Sequence, residues 1–529
     1  MPKRSSPGRN AAVGALVLVL AVALGLVIAR ANDLPTKSVA GPSAVPGVAS
    51  SVAVKIAATD GVTLVAQVFT PTGHGPFPLV VMPASWGQGP GQYTQIARRF
   101  AASGYEVLAY GQRGFGGSGG LIDLAGEATQ TDVSTVITWA LKYTPASRTK
   151  IASVGISYGA VMSLLAAARD PRIRVVVAMS GWSDLAAAFA PSGTPNVAAL
   201  HVVLSADLAA GKLTSQVGQL ALSLRSGNAA SLLAALSPTR SADSLVPQLN
   251  RNDPAIMIAN PYEDSLLYPA NMVPFFDQLR TPKRLQLAPG DHGGPEFAAL
   301  SGKPDTTLDD ALGWVDHYLR GTENGIEHAD PIQLQDIVTR TWHGYRTWPV
   351  ASTAVELGAP NAPENVVTSG AAPWTRTVTT GTDTVAGSGP PIYTAPNPYQ
   401  PPRISIGSIA PAQAFVWNGA PRTEPLLISG RPTLHVTATS STGAGTLYAY
   451  MYDVDAAGDA SLMTFAPYTF ASSGSALTIP LGPTSWTVAT GHHVALVVDS
   501  VDARYLSAAP IGSTLTLSSP ATLDVPTGS

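Results

Sequence analysis

Residues 150–168 run from a short apolar strand, Ile151-Ala152-Ser153-Val154, through Gly155-Ile156-Ser157-Tyr158-Gly159 into an uninterrupted apolar helix. A serine between two glycines at the switch from strand to helix constrains the fold more than any other segment. The glycines leave room where a strand turns sharply into a helix, and the helix N-terminus favours negative charge developing in front of the hydroxyl. The same spacing recurs at Gly116-Gly117-Ser118-Gly119-Gly120, but no apolar helix follows directly, so Ser118 reads as part of a flexible loop. Context therefore selects Ser157 as a nucleophile.

From about residue 51 the remaining elements fit an α/β-hydrolase core around that turn. Residues 51–58 and 62–70 alternate as strands around a Thr59-Asp60-Gly61 turn, and 78–82 is a fully apolar strand. Residues 93–103 and 131–143 read as helices, and 105–110 and 174–180 as strands. Strands and helices in alternation imply a mainly parallel sheet covered on both faces, with ligands at the carboxyl ends of the strands. Ala- and Leu-rich helices at about 186–250 interrupt the core and read as a cap over the pocket.

A nucleophilic serine needs a base and an orienting acid, in this fold in the order Ser, acid, His. The apolar strand 255–260 leads into Pro261-Tyr262-Glu263-Asp264, where either carboxylate is suitably placed. Asp264 is preferred because the next helix begins just after it. The strand 284–289 runs into Gly290-Asp291-His292-Gly293-Gly294, and of the nine histidines His292 alone lies in a glycine-rich loop behind a core strand downstream of the acid. The expected catalytic set is Ser157, Asp264 and His292. The backbone N–H of Tyr158 supplies one oxyanion donor. The second is expected from the loop after strand 78–82, Pro83-Ala84-Ser85-Trp86-Gly87-Gln88.

Composition narrows the class. A net charge of −3 gives no reason to expect a nucleic-acid partner, and the absence of cysteine excludes disulfides, thiolate metal sites and cysteine nucleophiles. No metal or organic cofactor is implied. Lys3, Arg4 and Arg9 precede an uncharged run from Ala11 to Ala29, about 28 Å long as a helix. Residues 1–31 are therefore expected to export the chain, as a cleaved signal peptide or as a retained membrane anchor outside the cytoplasm. Residues 32–50 read as a tether, 51–345 as the hydrolase domain and 346–529 as a β-sandwich of short strands between Gly, Pro and Ser turns. Asp453-Val454-Asp455-Ala456-Ala457-Gly458-Asp459 could suggest calcium, but no bidentate Glu follows at the required spacing and a polar hairpin turn is preferred.

The chain resembles the cocaine esterase and X-prolyl dipeptidyl peptidase family. The resemblance rests on Gly155-Ile156-Ser157-Tyr158-Gly159, on Asp170-Pro171-Arg172, and above all on the helix end Trp314-Val315-Asp316 with Leu319 and Gly321. It implies that Trp314 packs the helix, that Gly321 ends it, and that a C-terminal jelly-roll domain helps to wall the active site. Two positions depart from the family pattern. Trp86 stands where a tyrosine hydroxyl usually serves the oxyanion, so the resemblance implies the indole N–H of Trp86, or a backbone N–H of Ser85 or Trp86, as the second donor; Gly111 stands where an Asp is usual. A peptidase of this type must hold a free amino group, and Asp123, Asp184 and Glu263 are candidate carboxylates that nothing marks as a pair. The favoured substrate is a small carboxylic ester or acyl-amide, with an X-prolyl dipeptide as the alternative. A silent hydrolase fold serving as a surface-binding module is a third reading.

Overall fold

The computed structural model describes residues 47–527 apart from 225–226, 349–350, 363–364, 368, 390–399 and 473. The expected export segment and nearly all of the tether lie outside these residues. Among the described residues no helix is long and apolar enough to cross a membrane.

Ten strands form the first sheet: β1 (Val48–Ala57), β2 (Thr63–Pro71), β3 (Phe77–Pro83), β4 (Glu106–Tyr110), β5 (Ala146–Ile156), β6 (Ile173–Met179), β7 (Ala255–Pro261), β8 (Lys283–Ala288), β9 (Ile332–Gln335) and β10 (Trp342–Tyr345). Their order is β1-β2-β4-β3-β5-β6-β7-β8-β9-β10. Pairing is parallel from β4 through β9 and antiparallel at both ends. β1 opens at Val48, inside the stretch read as tether. Leu79, Val80, Val81 and Met82 are wholly buried, as a strand covered on both faces requires.

Helices cover both faces. On one lie α1 (Thr94–Ala102) and, at the far end of the domain, the helix Thr306–Arg320; on the other lie α2 (Glu127–Tyr143) and α3 (Tyr158–Arg169). The cap comprises α4 (Leu185–Phe189), α5 (Val197–Ala209), α6 (Ser215–Ser223), α7 (Ala229–Arg240) and α8 (Val246–Asn252), between β6 and β7. Three helices complete the domain: α9 (Met272–Gln278), α10 (Phe297–Leu300) and α11 (Thr306–Arg320). The side chain of Asp305 caps α11 by accepting the N–H of Leu308 at 2.9 Å. Leu308, Ala311, Trp314, Val315 and Leu319 bury its apolar stripe, and Gly321 ends it at φ 74°.

The C-terminal domain is wholly antiparallel. One sheet joins 352–357, 366–367, 375–379, 433–440, 475–480 and 514–526; the second joins 403–405, 415–418, 445–454, 459–470 and 493–499; a ribbon pairs 426–430 with 484–488. Residues 455–458 make the hairpin turn between 445–454 and 459–470, where Asp455 Oδ1 accepts the N–H groups of Ala457 and Asp459. The domain buttresses the hydrolase: Tyr268 donates its hydroxyl to the carbonyl of Phe465 at 2.9 Å, and Ala198 and Leu506 exchange backbone bonds across the boundary with Arg504 and Pro195.

The loop after β4 is built around Arg113. Its guanidinium forks onto Asp132 of α2 at 2.7 and 2.8 Å and reaches Asp60 at 2.9 Å, with Arg113 and Asp132 both buried. Ser118 donates to the carbonyl of Gly111 and accepts the N–H of Val65, so the glycine run is pinned to β2 and is not the flexible loop expected of it. Arg113→Met leaves the Asp132 carboxylate buried without a cation. Unfolding stability should fall by about 3 kcal/mol, read from the urea midpoint; an unchanged midpoint would show that the loop is held elsewhere.

Candidate active site

Ser157 sits between β5 and α3 with φ 57° and ψ −122°, outside the regions that L-residues favour. The flanking glycines are sterically required. A Cβ on Gly159 would lie 2.0 Å from the carbonyl oxygen of Pro83, and one on Gly155 would lie 2.2 Å from the backbone of Gly159. The turn is thus pressed against the end of β3, which carries the loop expected to complete the oxyanion hole.

The structure brings the three expected residues into one chain of hydrogen bonds. His292 Nε2 lies 2.8 Å from Ser157 Oγ, and His292 Nδ1 lies 2.8 Å from Asp264 Oδ2. The other oxygen of Asp264 accepts the N–H groups of Leu266 and Leu267, which fixes the carboxylate toward the ring. Glu263, the other local candidate, points away: it is half-buried and accepts the N–H of Gly290. Burial drives its carboxyl well above the usual range.

Two further carboxylates stand behind the histidine, and sequence reasoning assigned neither. Asp291 accepts the N–H of His292 and both the N–H and hydroxyl of Ser265, tying the acid loop to the histidine loop. Glu296, 1 % exposed, receives the hydroxyl of Ser180 at 2.9 and 3.0 Å, and the N–H of Gly293 reaches that hydroxyl at 3.3 Å. Burial pushes Glu296 up to about 7, with the Ser180 hydrogen bond and His292 pulling the other way. Burial opposes protonation of His292, but Asp264, Asp291 and Glu296 together outweigh it and hold the ring above its ordinary value. No motif marks Glu296; its only sequence signal is a charged residue just behind the glycine-rich histidine loop.

The oxyanion donors require correction. The N–H of Ser85 is committed to Gln92 Oε1 at 2.8 Å, and the indole N–H of Trp86 to Asp207 Oδ2 at 3.1 Å. Neither is free for substrate. Ser85 instead anchors the loop, donating its hydroxyl to the carbonyl of Ile156. The backbone N–H groups of Tyr158 and Trp86 have no hydrogen-bond partner among the described residues. Tyr158 begins α3, where an N–H lacks an intrahelical acceptor.

Ser157 and His292 open into a cavity of about 980 Å³ whose walls include Phe115, Trp182, Phe189, Val203, Leu266 and Phe297. Asp207, also absent from the sequence reading, is its one lining carboxylate among the described residues, with Lys55 and Lys212 the lining lysines. Burial raises the Asp207 carboxyl against the pull of Trp86 and Lys212. The three carboxylates considered for amine binding do not reach the cavity: Asp123 holds Thr129, Asp184 caps α4, and Glu263 turns toward Gly290. Nor, among the described residues, does any of the β-sandwich line it.

Comparison with known proteins follows this geometry. Residues 60–294 match the family model of the X-Pro dipeptidyl-peptidase (S15 family), and residues 324–527 match the X-Pro dipeptidyl-peptidase C-terminal non-catalytic domain. A Mycobacterium bovis protein bearing the name of a serine esterase is 26% identical over 267 residues, 43% of this chain. That match spans 42% of the relative, so less than half of its length is represented. An aminopeptidase from a marine sediment archaeon, Thaumarchaeota archaeon, superposes with a TM-score of 0.70 at 17% identity, covering 93% of this chain and 98% of its own. An α-amino acid ester hydrolase superposes at 0.67 and 18% identity, covering 93% and 99%. A CocE/NonD family hydrolase from Staphylococcus aureus does so at 0.67 and 13%, covering 90% and 93%. At these identities the structural likeness is one of fold, and the family rests on the two matched domains. Residues 60–294 thus belong with the X-Pro dipeptidyl-peptidase (S15) family, and residues 324–527 with the C-terminal non-catalytic domain of the X-Pro dipeptidyl-peptidases, in that order along the chain.

Proposed function

We propose that this protein hydrolyses small carboxylic esters or acyl-amides through an acyl-enzyme on Ser157. The observation that carries the reading is the unbroken Ser157–His292–Asp264 relay, 2.8 Å at each step. His292 takes the proton of the Ser157 hydroxyl as Oγ attacks the carbonyl carbon, and Asp264 keeps the ring in the tautomer that leaves Nε2 free to accept it. Negative charge on the tetrahedral oxygen is received by the N–H groups of Tyr158 and Trp86. His292 then protonates the leaving group, and water repeats the sequence to release the acid.

The cavity favours esters over X-prolyl dipeptides. Its walls are largely apolar, and its one carboxylate already accepts the Trp86 indole. Among the described residues no pair of acids lines it to hold a free amino group. The X-prolyl peptidase reading stays as the alternative because the hydrolase domain matches that family's model. An exported form, released or tethered, belongs to the same proposal and is supported by the basic residues ahead of the apolar run 11–29.

Labelling with a fluorophosphonate should mark the wild-type chain and fail with Ser157→Ala, and ester turnover should fall by about 10⁴-fold or more. p-Nitrophenyl esters should be cleaved well and X-Pro-p-nitroanilides poorly; the reverse order would favour the peptidase. Folded wild type that is never labelled would move the binding-module reading forward.

The pH profile tests the buried acid. Ionised Glu296, with Asp264 and Asp291, favours the protonated ring of His292, so the catalytically useful neutral ring is delayed to higher pH. Glu296→Gln removes one negative charge while keeping the side-chain shape. The rising acid limb of kcat/KM should therefore move to lower pH; a limb that stays in place would show that Glu296 carries no charge felt by His292.

A further inference from the structure

We propose that Asp207, on the cap, is a positioning residue for the oxyanion hole. By accepting the indole N–H of Trp86, it fixes the turn whose backbone N–H serves as the second donor. The inference rests on the serine-hydrolase mechanism above and deepens it with a cap residue that acts only through Trp86.

The turn comes first. The N–H of Gln88 donates to the carbonyl of Ser85 at 3.0 Å, closing a four-residue turn with Trp86 and Gly87 at its centre. Gly87 has φ 74°, the positive value that a type II turn demands at its third position. In such a turn the N–H of the second residue takes no part in the closing bond and points outward. That residue is Trp86. Ser85 is fastened by Gln92 and by its hydroxyl bond to Ile156, next to the nucleophile, so one end of the turn is fixed.

The other fixation is the Trp86 side chain. Its ring packs 4.9 Å from Phe115 and 5.2 Å, edge-on, from Tyr158. These rings set its plane without specifying which edge faces the cap. The 3.1 Å bond from Nε1 to Asp207 Oδ2 removes that freedom.

Helix stability does not explain the placement of Asp207. It lies in the last turn of α5, where the negative helix end disfavours a carboxylate. Among the described residues it has no ion pair, and its side chain has one hydrogen-bond partner, Trp86. The end of α5 is also pinned independently of Trp86: Ile122 donates to the carbonyl of Lys212 at 2.8 Å, Thr214 to that of Ile122 at 3.0 Å, and Lys212 to that of Asp207 at 2.9 Å. The backbone therefore presents Asp207 as a fixed post, and Trp86 is the group that it positions.

Steady-state hydrolysis of p-nitrophenyl butyrate by the full chain tests this in wild type, D207A, D207N, W86F and W86F/D207A. D207A should lose about tenfold or more in kcat with KM within about twofold, because a misplaced donor acts on the transition state more than on substrate binding. D207N should retain wild-type kcat, since its carbonyl oxygen accepts the same bond. W86F should match D207A, and the double variant should fall no further than W86F. If D207A does not fold, W86F, with a ring in the same slot but no N–H, gives the same reading.

Wild-type kcat in D207A and W86F, equal losses in D207N and D207A, or additive losses in the double variant would overturn the inference. Turnover that survives Ser157→Ala in the same assay would overturn the mechanism itself, and this inference with it.

Discussion

The close approach of Gly159 to Pro83 is the contact on which the site depends. With the Pro83 carbonyl 2.0 Å from where a Cβ would sit, β3 and the start of α3 touch through backbone alone. That contact seats the loop carrying Trp86 beside the turn carrying Ser157 and Tyr158, all of them lining the same cavity. Ser157 itself stands at φ 57°, a strained value whose cost of about 1–3 kcal/mol must be met by the surrounding structure. Tyr93 supplies part of that support: its buried hydroxyl donates to the Pro83 carbonyl and accepts the N–H of Ile156, bracing both strands that meet at the turn.

Behind the serine the molecule concentrates negative charge where burial makes it costly. Asp264, Asp291 and Glu296 all surround the His292 loop, and a single imidazole is the group between them that can become a cation. Each acid is satisfied by neutral donors: backbone N–H groups for Asp264 and Asp291, the Ser180 hydroxyl for Glu296. Such an arrangement stabilises an imidazolium more than a neutral ring, and the imidazolium is the species formed as the serine attacks. Burial of Glu296 limits the effect, since a carboxyl pushed up to about 7 carries its full charge only above neutrality.

The parts legible in the sequence are those in which one residue type has one physical reason to be present. Apolar runs such as Leu79–Met82 can only be strands buried on both faces, and glycines on either side of Ser157 answer to a backbone contact. Chain order then led to Asp264 and His292, which the fold draws together. The long strand 459–470 escaped because residues 462–467 are all buried and so show no alternation. Beyond those three residues, side-chain partners were not legible. Whether Ser85 offers an N–H or spends it depends on Gln92, and whether the Trp86 indole is free depends on a residue 121 positions away.

That last dependence bears on the ester-or-amide question. Amide cleavage needs a stronger oxyanion hole, because the carbonyl is less reactive and the leaving amine poorer. A hole with two backbone donors gives up whatever a third, side-chain donor would supply, and Trp86 cannot be that donor while its N–H belongs to Asp207. Backbone donors have a compensating advantage: they are held by the turn and the helix start, and need no reorganisation as charge develops. On the proposed mechanism the apolar cavity would supply binding energy for the apolar part of the substrate, which helps substrate capture more than the chemical step. Both features suit a reactive carbonyl with a good leaving group, so hole and cavity favour the same class of substrate.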